Sequence, residues 1–324
     1  MKTILLSNHY EGKPLTILRD AVGGAFTLKV LRKADRDELL NSISEADYLL
    51  MSGRLGIDRE VIDRAGKLRM IQRTGVGLDN VDLEYLCHKG IPLYVNRGIN
   101  ANSAAEYTVM LMLAALKRNY AVNSQMRSGI WKKQETALTT HEMYGKTVGL
   151  IGMGNIGTRV ARMLSGFDAK IIYTDIRRLP FDEEDRLGAV FCDFEELLCK
   201  ADIISLHCPY DAAKGYLIAE KEIEQMKDGV VLINTARGKL VRQKAVEEAL
   251  EKGKIAAVGF DVFEEEPLCG GEALLESMNA YLSPHIAGLS YETFTNMMVS
   301  AVENIKAFDR GELASIAGLK VQRA

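Results

Sequence analysis

The stretch Thr147-Val148-Gly149-Leu150-Ile151-Gly152-Met153-Gly154-Asn155-Ile156-Gly157 decides the fold of this chain. Residues 147–151 read as a strand, 152–157 as a glycine turn, and 158–164 as a helix that Gly166 stops. A lone G-x-G-x-x-G is weak, because glycine triplets arise by chance in loops. Between a strand and a helix it stands in the context that dinucleotide binding requires. Gly152 permits the tight turn, Gly154 lets a pyrophosphate approach the backbone, and Gly157 lets the helix pack on the strand. The helix N-terminus then faces the phosphate charge.

Working outward, the strand predicted over 170–174 ends at Asp175. That is close to the spacing of about 20 residues at which a carboxylate grips the ribose hydroxyls. A carboxylate there repels the additional phosphate of NADP and favours NAD, although the neighbouring Arg177 and Arg178 offer cations that suit such a phosphate. In an open parallel sheet, ligands bind beyond the carboxyl ends of the strands. The strands predicted over 203–206, 230–234, 256–260 and 280–282 lead to His207-Cys208-Pro209, Asn234-Thr235-Ala236-Arg237-Gly238, Asp261 and Pro284-His285. Polar residues at successive strand ends converge on one crevice.

The first hundred residues show a separate alternation. Strands are predicted over 3–7, 26–31, 47–51, 68–73 and 91–95, with helices such as 35–44, 58–65 and 82–89 that open on an Asp. Strands alternating with helices imply a parallel sheet covered on both faces. Near Asn102 a second block begins, where Ser103-Ala104-Ala105-Glu106 fits a capping box. The helix predicted after it, 107–116, is apolar on nearly every face and calls for burial between domains or between subunits. A final helix over 291–308 stops at Asp309-Arg310-Gly311.

Bulk composition excludes other classes. With 47% hydrophobic and 26% charged residues, the 324-residue chain suits about two ordered domains. A net charge of -3 gives no basic field for nucleic acid. No apolar run approaches the roughly 20 residues that cross a bilayer, and the N-terminus is too short in apolar residues for a signal peptide. Five cysteines without a C-x-x-C pair read as reduced thiols of a cytoplasmic protein. His207 and Cys208 point opposite ways along a strand and lack partners at ligand spacing, so no metal is expected.

The ordered motifs carry a family resemblance. Gly152 to Gly157 with Asp175, Ser205-Leu206-His207-Cys208-Pro209 and Asn234-Thr235-Ala236-Arg237-Gly238 resemble the D-isomer-specific 2-hydroxyacid dehydrogenases. So do Asp261-Val262-Phe263-Glu264-Glu265-Glu266-Pro267 and Ser283-Pro284-His285-Ile286-Ala287-Gly288, together with Gly75-Val76-Gly77-Leu78-Asp79-Asn80-Val81-Asp82 and Gly129-Ile130-Trp131. The resemblance implies an α/β protein of two doubly wound parallel-sheet domains. A Rossmann NAD-binding domain (101–290) is inserted in a flavodoxin-like substrate domain (1–100 and 291–324). It implies NAD-dependent hydride transfer at C2 of a small D-2-hydroxy or 2-keto acid, in a homodimer.

The same resemblance assigns residues. Arg237 offers a planar, permanently charged fork for a carboxylate and its neighbouring carbonyl. His285 exchanges the hydroxyl proton, since imidazole titrates near neutrality, and Glu266 holds the ring in place. Cofactor contacts are implied for Gly152, Gly154, Asn155, Ile156, Gly157, Asp175, His207, Pro209, Thr235, Ala236, Asp261, Gly288 and Thr108. The amides of Val76 and Gly77 resemble a carboxylate cradle. Arg54 and Arg73 suit a second carboxylate or a phosphate, and there the resemblance is to phosphoglycerate dehydrogenases, without a regulatory domain.

Several alternatives stay open in the sequence. Glu264 and Glu265 flank Glu266 as a solvated run would. His207 suits a structural role as well as the cofactor, and Asp261 can orient a loop or touch the cofactor. Arg54 and Arg73 also read as solvated strand-end charges. Two other functions keep the same motifs: a dinucleotide-sensing protein of the co-repressor type, and a dehydrogenase of formate or phosphite.

Overall fold

Parallel strands can be joined only by crossovers long enough to hold a helix, so strand–helix alternation builds covered sheets. The computed structural model describes residues 1–53, 55–316 and 319–320, and it forms two compact units. One comprises Met1–Asn100 with the chain from Ser290 onward, the other Ala101–Leu289.

The first unit holds β1 (Thr3–Leu6), β2 (Thr27–Val30), β3 (Tyr48–Met51), β4 (Met70–Arg73) and β5 (Leu93–Val95). They lie in the order β5-β4-β3-β1-β2 and all pair in parallel. The two-residue strand Leu319–Lys320 joins β5 antiparallel. Three helices start at an Asp whose carboxylate accepts the amide three residues on: Asp35 from Glu38, Asp58 from Val61, Asp82 from Tyr85. Helices Gly12–Val22 and Tyr291–Asp309 cover the opposite face, where Leu18, Met298, Val302 and Ile305 are buried against Ile4, Leu6 and Tyr48. Ser290 falls with this unit rather than the inserted one, because its hydroxyl accepts from Thr293 N and caps the last helix. Within that helix Asn304 Nδ2 donates to Gln72 Oε1 (3.2 Å), which ties the buried helix to the carboxyl end of the sheet.

The second unit holds β6 (Thr147–Ile151), β7 (Lys170–Thr174), β8 (Ala189–Phe191), β9 (Ile203–Leu206), β10 (Val230–Asn234), β11 (Ile255–Phe260) and β12 (Ala280–Leu282). Their order is β12-β11-β10-β9-β6-β7-β8, all parallel. The chain winds outward from β6 to β8, then returns to β9 on the other side of β6. This reversal leaves a crevice at the carboxyl ends of β6 and β9, the place where doubly wound sheets bind ligands.

Helix Ala101–Leu116 corrects one expectation. It starts before Ser103, so the capping box does not form. Ser103 instead donates its hydroxyl to the Ala287 carbonyl at 2.9 Å. One face of this helix is buried with Leu111, Met112 and Ala115 in the core, and the other leaves Met110 45% exposed. Among the described residues, no helix is long and apolar enough to cross a membrane. All five cysteines are free thiols.

Candidate active site

The glycine turn sits at the switch point, and contacts explain its composition. Gly152 has a φ of 101°, a backbone that side chains resist. A Cβ on Gly157 would lie 2.1 Å from the Gly152 carbonyl oxygen, which nothing larger than glycine tolerates. At Gly154 a Cβ would meet nothing within 4 Å. A turn held close by two glycines, open at the third and leading into helix Gly157–Leu164, fits a pyrophosphate. Asn155 and Ile156 lie in the same turn, with the Asn155 carbonyl held by Arg159 Nη1 at 2.7 Å.

Asp175 stands at the end of β7. Its Oδ2 accepts from Met153 N (2.6 Å) and its Oδ1 from Arg177 N (3.1 Å), which fixes the carboxylate against the turn. Across the crevice, His207 N donates to Ile151 O and its Nε2 shares a hydrogen bond with Ser205 Oγ at 3.0 Å. Its Nδ1 is buried and has no partner among the described residues. Burial pushes the imidazole down to about 4, so the ring is neutral near pH 7. A neutral ring with one unpaired nitrogen beside the turn fits a polar nucleotide group. The Ser205 contact gives the same residue a structural tie. Pro209 follows, exposed at the rim.

The ends of β10, β11 and β12 carry the other expected residues. His285 Nδ1 meets Glu266 Oε2 at 2.9 Å, while Glu266 Oε1 accepts from Phe263 N at 3.1 Å. This turns Nε2 of the imidazole away from the carboxylate. His285 is 46% exposed and Glu266 18% along their side chains, so the ring stands out from a sheltered acid. The backbone at His285 has a φ of 60°, unusual for a residue with a Cβ and of the kind that gathers at functional sites.

Asp261 explains how that backbone is held. Its side chain is buried, Oδ1 accepting from Ser283 Oγ (2.6 Å) and Ile286 N (2.8 Å), Oδ2 from Ala287 N (2.8 Å). His285 N adds a bond to the Asp261 carbonyl at 2.8 Å. Asp261 therefore orients the loop, one of the two roles that the sequence left open for it. The three neighbouring acids also separate. Glu264 accepts from Gln243 N and from Tyr216 Oη (2.9 Å), Glu265 is exposed, and Glu266 alone meets the histidine.

Arg237 stands on a turn that Asn234 shapes. Asn234 Nδ2 donates to the Arg237 carbonyl (2.9 Å) and its Oδ1 accepts from Ala236 N (3.0 Å). A Cβ on the next residue, Gly238, would lie 1.8 Å from the Phe263 carbonyl oxygen, so the arginine turn presses directly on the loop that carries Glu266. Thr235 Oγ1 pairs with Thr108 Oγ1 at 2.8 Å, and Thr108 also donates to Ala104 O at 2.7 Å. Thr108 is wholly buried. It props Thr235 from within the core. Ala236 and Gly288 are half-buried at the same edge. Sequence reasoning missed Asn234 and Ser283 as positioning residues; an Asn closing a strand before a tight turn was the available sign for the first.

In the first unit, the turn after β4 leaves Val76 41% exposed and Gly77 half-buried. Thr74 N donates to Met51 O (3.0 Å), fixing the start of that turn. Arg73 Nη1 donates to the Gly53 carbonyl at 3.0 Å. Arg54 lies outside the described residues. Among the described residues no group of three or more His, Cys, Asp or Glu side chains is placed to hold a metal ion.

The model of the D-isomer specific 2-hydroxyacid dehydrogenase NAD binding domain matches residues 109–287. A glyoxylate reductase of Korarchaeum cryptofilum is 37% identical over 278 residues, 85% of this chain and 83% of that protein. A D-3-phosphoglycerate dehydrogenase of Mycobacterium leprae is 34% identical over 292 residues, 90% of this chain but 54% of that protein. The crystal structure of D-lactate dehydrogenase from Aquifex aeolicus, complexed with NAD and lactic acid, superposes with a TM-score of 0.88 at 28% identity and covers 100% of both chains.

Proposed function

The chain belongs to the D-isomer specific 2-hydroxyacid dehydrogenase family, and we propose that it reduces a small 2-keto acid, glyoxylate foremost, at Arg237, Glu266 and His285. It is an NAD-dependent enzyme. The nucleotide, when bound, supplies the hydride that goes to C2 of the keto acid. Gly152, Gly154 and Gly157 would hold its pyrophosphate and Asp175 its adenosine ribose.

The residues of the chain do the remainder. Arg237 grips the carboxylate with two parallel N–H bonds and polarises the adjacent carbonyl. His285 gives a proton from Nε2 to the keto oxygen as the alcohol forms, and takes it back in the oxidative direction. Glu266 accepts from Nδ1–H, which fixes the tautomer and the ring plane. The observation that carries this reading is the 2.9 Å contact between His285 and Glu266 on a loop pinned by Asp261.

Glyoxylate ranks first because a relative similar over most of both chains bears that name. A panel of glyoxylate, pyruvate, hydroxypyruvate and its 3-phospho ester with NADH and with NADPH tests this. The highest kcat/KM is expected for glyoxylate with NADH. Preference for the phospho ester would move the assignment to phosphoglycerate chemistry, and no nucleotide oxidation with any acid would sink the enzyme reading.

The partner we propose is a second copy of the chain. Helix Ala101–Leu116 borders an open groove of about 1230 Å³ lined by Tyr107, Met110, Leu113, Ala114, Tyr120 and Leu275. Met110, Tyr120 and Leu275 are each exposed, apolar side chains that a second copy would shield from water. Sedimentation should give a dimer, and Met110→Lys should shift it toward monomer. A wild-type chain that sediments as a monomer at micromolar concentration would refute it.

A further inference from the structure

The chain places two arginines, Arg177 and Arg178, just beyond the acid at the end of β7 with Ile176 between, where a 2′-phosphate would sit if NADP were bound. One of them is engaged elsewhere. Arg178 Nε donates to Glu184 Oε1 at 2.8 Å and its Nη2 to Glu184 Oε2 at 2.9 Å, a parallel two-bond fork. Tyr173 Oη donates to the same Glu184 Oε1 at 2.6 Å and accepts from Leu179 N at 2.9 Å. The guanidinium also lies over the Phe191 ring, 5.5 Å from its centre, and that ring meets Tyr173 edge-on.

Glu184 itself is unusual. Its side chain is 7% exposed on a helix, Phe181–Leu187, otherwise rich in solvated acids. Buried carboxylates persist when paired and hydrogen-bonded, as this one is on both oxygens. The hydrogen bonds from Arg178 and then Tyr173 hold the carboxyl down to about 2, so it stays charged through the working range.

We propose that Glu184 is a specificity-determining residue that acts through Arg178: it engages one of the two guanidiniums that would otherwise favour a 2′-phosphate, and so strengthens the preference of the chain for NAD. Asp175 supplies repulsion against that phosphate and Glu184 withholds the attraction of Arg178, so that Arg177 alone is left to offset the acid's charge. This inference rests on the assignment of Asp175 to the adenosine ribose.

The test compares NADH and NADPH in the wild type, Glu184→Gln, Asp175→Ser, the double variant, and each of the latter two with Arg178→Ala. Glu184→Gln keeps the side-chain volume and the Tyr173 bond while removing the charge that holds the guanidinium. In the Asp175→Ser background it is expected to raise kcat/KM for NADPH about tenfold further, the worth of one charge-assisted hydrogen bond. Arg178→Ala should abolish that gain, and NADH kinetics should follow those of Asp175→Ser throughout. An NADPH:NADH ratio unmoved by Glu184→Gln overturns the proposal. If Glu184→Gln fails to fold, Arg178→Ala on Asp175→Ser decides: a loss of NADPH use would mean Arg178 already holds the phosphate, against the proposal, and no change supports it. Failure of the Asp175 assignment is separately visible, as an Asp175→Ser variant with unaltered preference.

Discussion

Alanine at His285 is expected to lower kcat by about 10²- to 10⁴-fold, the usual contribution of a positioned proton donor. NADH affinity should stay at the wild-type value, because the ring meets Glu266 and no residue of the glycine turn. Position 285 has a left-handed backbone, and an alanine there bears the same strain without the functional side chain. His285→Asn is the better-matched control, since asparagine tolerates that backbone. Both variants should lose turnover alike if the proton is what matters. Glu266→Gln should fall between them and the wild type, with the loss in kcat rather than KM, because an amide can turn its NH₂ toward Nδ1 and favour the wrong tautomer. The bonds from Asp261 to Ile286 and Ala287 do not involve the imidazole, so the loop should keep its shape in all three variants. A fall in melting temperature together with lost NADH binding would make His285 a structural residue.

Much of the architecture was legible because each local choice agrees with the global one. Strand β6, its glycine turn and the following helix were readable from periodicity and three glycines. The strands over 170–174, 203–206 and 230–234 match to the residue. Strand β8 was missed because three residues after a helix stop carry too little periodicity to notice. The error at Ser103 has another cause. The motif was sound as a local signal, but its hydroxyl finds the Ala287 carbonyl, a partner remote in sequence, and the helix begins earlier. The packing partners of Thr108 and Asp261 were hidden in the same way. The strand-end rule found the neighbourhood, yet whether a polar side chain faces a ligand or holds a loop depends on partners such as Thr235, Ser283 and Ala287. Glu184 was invisible for that reason also: six residues from Arg178 in a run of acids, it reads as solvent-facing until the fold buries it.

Replacing Arg237 by alanine is expected to reduce kcat/KM for the keto acid by about a hundredfold or more, since two charge-assisted hydrogen bonds are lost at about 1.5–3 kcal/mol each. Arg237→Lys should recover part of the binding and little of the turnover. A lysine restores the charge but lacks the planar fork that grips carboxylate and carbonyl together. NADH affinity should be unaffected in both, which separates lost substrate contact from a damaged nucleotide crevice. Gly238 offers an independent route to the same arginine. A methyl group there meets the Phe263 carbonyl at 1.8 Å, so the turn must move away from the Glu266 loop. Gly238→Ala should therefore copy the kinetic defect of Arg237→Ala with every catalytic side chain still present, and lower the melting temperature besides. Near-normal kinetics in Arg237→Ala would remove the arginine from the chemistry outright. Near-normal kinetics in Gly238→Ala alone would mean that the arginine reaches its substrate from a displaced turn, and that its placement depends less on the Glu266 loop than the close approach requires.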